Sequence, residues 1–144
     1  MSELLAISAR NQFKGTVKEI TTGLVNSEVV LDIGKGASIA AIITNKSVSF
    51  LDLESGKTAY AFFKASHVII SRELELRTSA RNNFPGKIKA VTKGAVNSEV
   101  QIELESGQII TGIITNQSCD RLELAPGIQV TGLVKAFHVI IGVM

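Results

Sequence analysis

The sequence predicts an all-β protein of two small OB-like barrels in tandem, each of about five strands and one short helix. Three observations predict it: an internal repeat, an alternation of period two inside each repeat, and glycines recurring near strand ends and bends. Shifting the chain on itself by 71 residues aligns 7–71 with 78–142 without a gap, and about 30 of the 65 pairs are identical. The shared islands are SARN at 8 and 79, VNSEV at 25 and 96, IITN at 42 and 113, and KAxHVII at 64 and 135. They run the length of the unit, so the repeat is a duplicated domain. The expected division is 1–71, a connector 72–77 (RELELR), and 78–144.

Within a unit the first strand is expected over 13–20. The second, 28–33, puts Val29, Leu31 and Ile33 on one face and Glu28, Val30 and Asp32 on the other. Its copy shows the pattern more sharply, with Val100, Ile102 and Leu104 opposite Glu99, Gln101 and Glu103. Further strands are expected over 38–44, 58–64 and 68–71, each with a counterpart 71 residues on. Between them, 45–53 and 116–124 read as short helices opening on Asn45 and Asn116 as N-caps. Gly15, Gly23, Gly36 and Gly56 recur as Gly86, Gly94, Gly107 and Gly127, where left-handed backbone is expected. Five short strands with one helix per unit is the pattern of a small oligonucleotide/oligosaccharide-binding barrel. Units of about 65 residues bury little surface alone. The stretch 109–115, apolar on both faces apart from Thr111, therefore predicts an oligomer.

Composition narrows the function. An apolar content of 45% with 19% charge excludes a disordered chain, and a net charge of +2 gives no broad basic footprint for coating nucleic acid. No apolar run reaches bilayer length, so no membrane partner is expected. Residues 1–6 carry Glu3 and no export-type apolar run, and Cys119 stands alone, which leads to a cytoplasmic expectation.

Enzyme motifs fail in turn. Gly56-Lys57-Thr58 has Leu51 where a phosphate-binding loop needs glycine, and the copy reads Gly127-Ile128-Gln129. Gly34-Lys35-Gly36 reads as a hairpin turn. Cys119 faces Val48 in the other copy, and with His67 and His138 gives no metal-ligand spacing. Neither a catalytic residue nor a metal cation is expected.

What recurs instead is a set of donors. Ser8, Ala9, Arg10 and Asn11, repeated as Ser79, Ala80, Arg81 and Asn82, write a hydroxyl, a guanidinium and an amide ahead of a buried strand. Lys64, Ala65 and Ser66 close another strand, and the copy reads Lys135, Ala136 and Phe137, which removes a hydroxyl. Gly23, Val25, Asn26 and Ser27, with Gly94, Val96, Asn97 and Ser98, read as a turn entering a strand.

The order SARNxFxGxV, GxVNSEV, IT with a short helix, then VKAxxVI resembles the molbindin family, or Mop domains, over nearly the whole chain and in two copies. The resemblance implies a homotrimer holding molybdate or tungstate as a bound ligand, with no redox role, for cytoplasmic storage and homeostasis. It implies one interdomain class of site, from Ser8, Ala9, Arg10, Asn11, Lys64, Ala65 and Ser66, and in the second copy Ser79, Ala80, Arg81, Asn82, Lys135 and Ala136. It implies a second class on a three-fold axis, from Gly23, Val25, Asn26 and Ser27 with Gly94, Val96, Asn97 and Ser98. The chemistry suits a dianion whose oxygens only accept hydrogen bonds. Two other readings remain: single-stranded nucleic-acid binding, poorly served by no Trp and one Tyr, and a regulatory module of a transporter or transcription factor, which would need a partner.

Overall fold

The computed structural model of the protein describes residues 4–144, so the first three residues of the opening segment 1–6 lie outside the described part. The chain folds as two all-β units, each a curled antiparallel five-stranded sheet with one short helix and one 3-10 turn. In the first unit the strands are β1 (Asn11–Thr22), β2 (Asn26–Gly34), β3 (Ala37–Thr44) and β4 (Thr58–Phe63), with helix α1 (Asn45–Phe50) after β3. The second holds β5 (Ile69–Ser71), β6 (Asn82–Lys93), β7 (Asn97–Leu104), β8 (Ile109–Thr115), α2 (Asn116–Arg121) and β9 (Gln129–Val134). The last strand, β10 (Ile140–Gly142), returns to the first sheet.

The compact units are therefore not the sequence repeats. One consists of the chain up to Phe63 together with Lys135–Met144, and the other of Lys64–Val134. The sheet orders are β10-β4-β1-β2-β3 and β5-β9-β6-β7-β8. Each unit thus takes its closing strand from the other copy: Ile140 pairs with Phe62 in one sheet, and Ile69 with Leu133 in the other. The expected division at 1–71 and 78–144 describes the duplication in sequence. The spatial division falls at the lysines, at the start of the KAxHVII segment that is alike in both copies.

Curling depends on the long first strand of each unit. Asn11 to Thr16 pair with β4, while Thr16 to Thr22 pair with β2, and the register slips between Val17 and Glu19. The same slip lies between Ile88 and Ala90. Such a bulge bends a strand and increases its twist. The sheet then wraps around a core of Val17, Val29, Leu31, Ile39 and Phe63 in one unit, and Val100, Ile102, Ile110, Val130 and Val134 in the other.

Glycine has two uses. Gly36, Gly56, Gly107 and Gly127 take φ between 80° and 93°, as expected. Gly23 and Gly94 do not, and neither do Gly15 and Gly86. A Cβ on Gly15 would lie 2.5 Å from the Asp32 carbonyl oxygen and one on Gly86 2.4 Å from that of Glu103, so these two positions are held by close approach of backbone.

The helices end sooner than expected, and their N-caps are Thr44 and Thr115 rather than the asparagines. Thr44 Oγ1 accepts from the Ser47 N–H, and Thr115 Oγ1 from the Ser118 N–H, both at 3.1 Å. The asparagines are committed elsewhere, as described below. Lys57, of the failed phosphate-loop motif, donates from Nζ to the carbonyls of Leu51 (2.8 Å) and Asp52 (3.1 Å) at the end of α1. Ile128 replaces it in the second unit. There α2 is tied to β6 by an ion pair of Lys93 with Asp120, whose hydrogen bond and charge raise the lysine pKa. The connector 72–77 is a turn with Arg72 Nη1 donating to the Leu122 carbonyl at 3.0 Å.

Candidate functional site

Each SARN segment leads into the long first strand of its unit. Asn11 opens β1 opposite Phe63, and Asn82 opens β6 opposite Val134. Both amides are buried, whereas Ser8, Arg10, Ser79 and Arg81 are exposed, with Ala9 and Ala80 half-buried. The buried amide anchors the segment and leaves hydroxyl and guanidinium facing outward. A neighbouring residue fixes its path. The Gln12 side chain accepts from the Leu5 N–H (2.9 Å) and donates to the carbonyls of Ile7 (3.2 Å) and Ala9 (3.0 Å), folding the lead-in back on the strand. Asn83 does the same with the Ala80 carbonyl at 2.9 Å. Sequence reasoning passed over Gln12 and Asn83; the signal was a side-chain amide following SARN in both copies.

Lys64 and Lys135 are extended, with φ of −73° and −70°, and each directly precedes a 3-10 turn, Ala65–His67 or Ala136–His138. The turns close through the His67 N–H to the Lys64 carbonyl (3.0 Å) and the His138 N–H to the Lys135 carbonyl (2.9 Å). Ala65 and Ala136 are buried, against β8 and β3 respectively, which requires a small residue there. Lys64, Lys135, Ser66 and Phe137 are exposed. His67 and His138 are half-buried at the ends of the turns. The register places Phe63, immediately before Lys64, opposite Asn11, and Val134, immediately before Lys135, opposite Asn82.

The third predicted group lies at the far end of the same strands. The Gly23 N–H donates to the Asn26 carbonyl at 2.9 Å, and that of Gly94 to Asn97 at 2.8 Å. A Cβ on either glycine would meet the same oxygen at 2.8 Å or 2.9 Å, so the turn is closed to larger residues. Ser27 and Ser98 are buried and donate inward to Oδ1 of Asn45 (2.5 Å) and Asn116 (2.6 Å). Those asparagines donate in turn from Nδ2 to the carbonyls of Gly23 and Gly94, both at 2.9 Å. Their own N–H groups bond the carbonyls of Val25 and Val96. The serine protons are thus spent inside the turn, and the groups presented outward are Leu24, Val25, Asn26 and their counterparts Ala95, Val96, Asn97. The IITN asparagines, read from sequence as helix caps, are the pins of this turn.

The SARN segment and the Gly23 turn thus lie at opposite ends of β1, and their copies at opposite ends of β6. β1 runs twelve residues from Asn11 to Thr22 inclusive, eleven steps and a contour of roughly 36 Å at about 3.3 Å per residue. One anion cannot span that distance. Among the described residues no cluster of three His, Cys, Asp or Glu side chains is placed to hold a metal ion, and Cys119 is buried in α2.

Comparison with known proteins gives a consistent picture. The TOBE domain model matches residues 7–70 and again 78–141. A crystal structure of ModG, described as a cytoplasmic molybdate-binding protein and holding molybdate, superposes with a TM-score of 0.93 at 40% identity, over 97% of this chain and 100% of that one. The molybdenum-pterin-binding protein MopA of Rhodobacter capsulatus is 41% identical over 93% of this chain and 51% of its own length. The molybdenum transport protein ModE of Azotobacter vinelandii is 39% identical over 94% and 50%. The chain spans about half the length of these two curated relatives.

Proposed function

The chain belongs to the TOBE-domain family, with two copies of the domain, and on that footing we propose that it binds molybdate or tungstate as a cytoplasmic store, without catalysing a reaction. The observation that carries this reading is the match along the whole fold to a protein whose structure holds molybdate. The donor groups support it: Ser8, Arg10, Lys64 and Ser66 are exposed groups able to donate, and Arg81, Ser79 and Lys135 repeat them. A tetrahedral dianion has oxygens that only accept, so a site made of donors leaves none of them unmatched. Each charge-assisted hydrogen bond contributes about 1.5–3 kcal/mol. Several are needed, because removing a dianion from water is costly.

The assembly we propose is a homotrimer, in which the exposed turns holding Asn26 and Asn97 gather on the three-fold axis. Exposed Val25, Val96, Ile69 and Ile140 supply apolar surface for such an interface. A ligand that binds only the assembled form stabilises it, so uptake and assembly are linked. Among the described residues no helix is long and apolar enough to cross a membrane. The nucleic-acid reading has a small stacking platform to draw on: Phe62, Phe63 and Phe84 are buried, and Phe50 and Phe137 are the exposed phenylalanine rings.

Equilibrium dialysis against molybdate, tungstate, sulfate and phosphate at equal concentration tests the function. We expect molybdate and tungstate to be retained in preference to the other two. Uptake of all four alike, or of none, would refute the assignment.

A further inference from the structure

Ser66 and Phe137 occupy the same place in the repeat, directly after the Lys-Ala pair that both copies keep. One is a hydroxyl donor and the other a phenyl ring. Because the closing segments are exchanged, Phe137 lies in the unit that holds α1, and Ser66 in the unit that holds α2. Phe137 is 63% exposed and lines an open apolar groove with Phe50, itself 85% exposed, and with Ile43, Leu51 and Ile140. The repeat partner of Phe50 is Arg121, so the corresponding places in the other unit carry Ser66 and Arg121. Two positions that share a groove have therefore changed together: both are aromatic in one unit, and both are donors in the other.

We propose that the two copies have divided the work. The oxyanion site built on Lys64, Ala65 and Ser66 fills, and its counterpart on Lys135, Ala136 and Phe137 stays empty at concentrations that saturate the first. This class of site is then occupied once per chain instead of twice. The inference rests on the molybdate-binding reading and adds a capacity that the reading does not specify. A phenyl ring offers no hydrogen to an oxyanion, and its face carries negative electrostatic potential. Loss of one donor to a dianion weakens binding on the order of ten- to a hundredfold, and the second exposed ring adds apolar surface where the other unit has a cation.

Native mass spectrometry of the full chain with molybdate, on wild type, Phe137→Ser and Ser66→Phe, tests the division. Both residues are exposed, so each variant is expected to fold. Phe137→Ser should gain one molybdate per chain, and Ser66→Phe should lose one. Equal numbers bound by all three would overturn the division while leaving the function standing. No molybdate bound by any of them would overturn the function, and this inference with it.

Discussion

Replacing Arg10 and Arg81 together by alanine is expected to empty the SARN class of site while leaving the fold in place. Each guanidinium is always charged and presents a planar fork of donors, which makes it the strongest single group available to a dianion in that segment. Losing one or two charge-assisted bonds of about 1.5–3 kcal/mol each corresponds to at least a ten- to hundredfold weaker site. Both arginines are exposed and lie outside the cores. The segment's path is held by Gln12 and Asn83 and by the buried Asn11 and Asn82, which the substitution leaves alone. Isothermal titration with molybdate should therefore show fewer sites, with the turns at Asn26 and Asn97 still binding, and the melting temperature should move by no more than about 2 °C. Unchanged stoichiometry and affinity would remove SARN from the donor set.

The largest effect on stability is expected from Gly86→Val. Its Cβ would sit 2.4 Å from the Glu103 carbonyl oxygen and 3.0 Å from Ile102 Cγ2. The first neighbour is backbone in a paired strand and cannot turn aside, so β6 and β7 would have to part where the sheet curls. A cost of about 2–4 kcal/mol follows from overpacking of this kind. At about 2–4 °C per kcal/mol for a chain of this size, the melting temperature should fall by roughly 4–16 °C. A change of less than a degree in thermal denaturation would mean that the strands are not packed so closely there.

The strands were legible because their alternation is strong. Val29, Leu31 and Ile33 are buried, as are Val100, Ile102 and Leu104. The exchange of closing strands was not legible, and for a physical reason. KAxHVII has the same burial pattern in both copies, so no local preference distinguishes one sheet from the other as its home. The candidate donors could be named from sequence, but the direction in which each side chain acts could not. Ser27 and Asn26 are adjacent letters of one motif, yet one hydroxyl is consumed by Asn45 while the other side chain is exposed. Likewise Thr44 took the capping role because Asn45 was needed to bridge Ser27 and Gly23 across the chain. Long-range pairing of this sort leaves no mark on a period or a spacing.

The measurement that bears most directly on the oxyanion store is an anomalous difference map from crystals of the protein grown with tungstate, collected at a tungsten edge. We expect peaks within hydrogen-bond reach of Arg10 and Lys64, and at the turns carrying Asn26 and Asn97. A map with tungsten at none of these places would contradict the account.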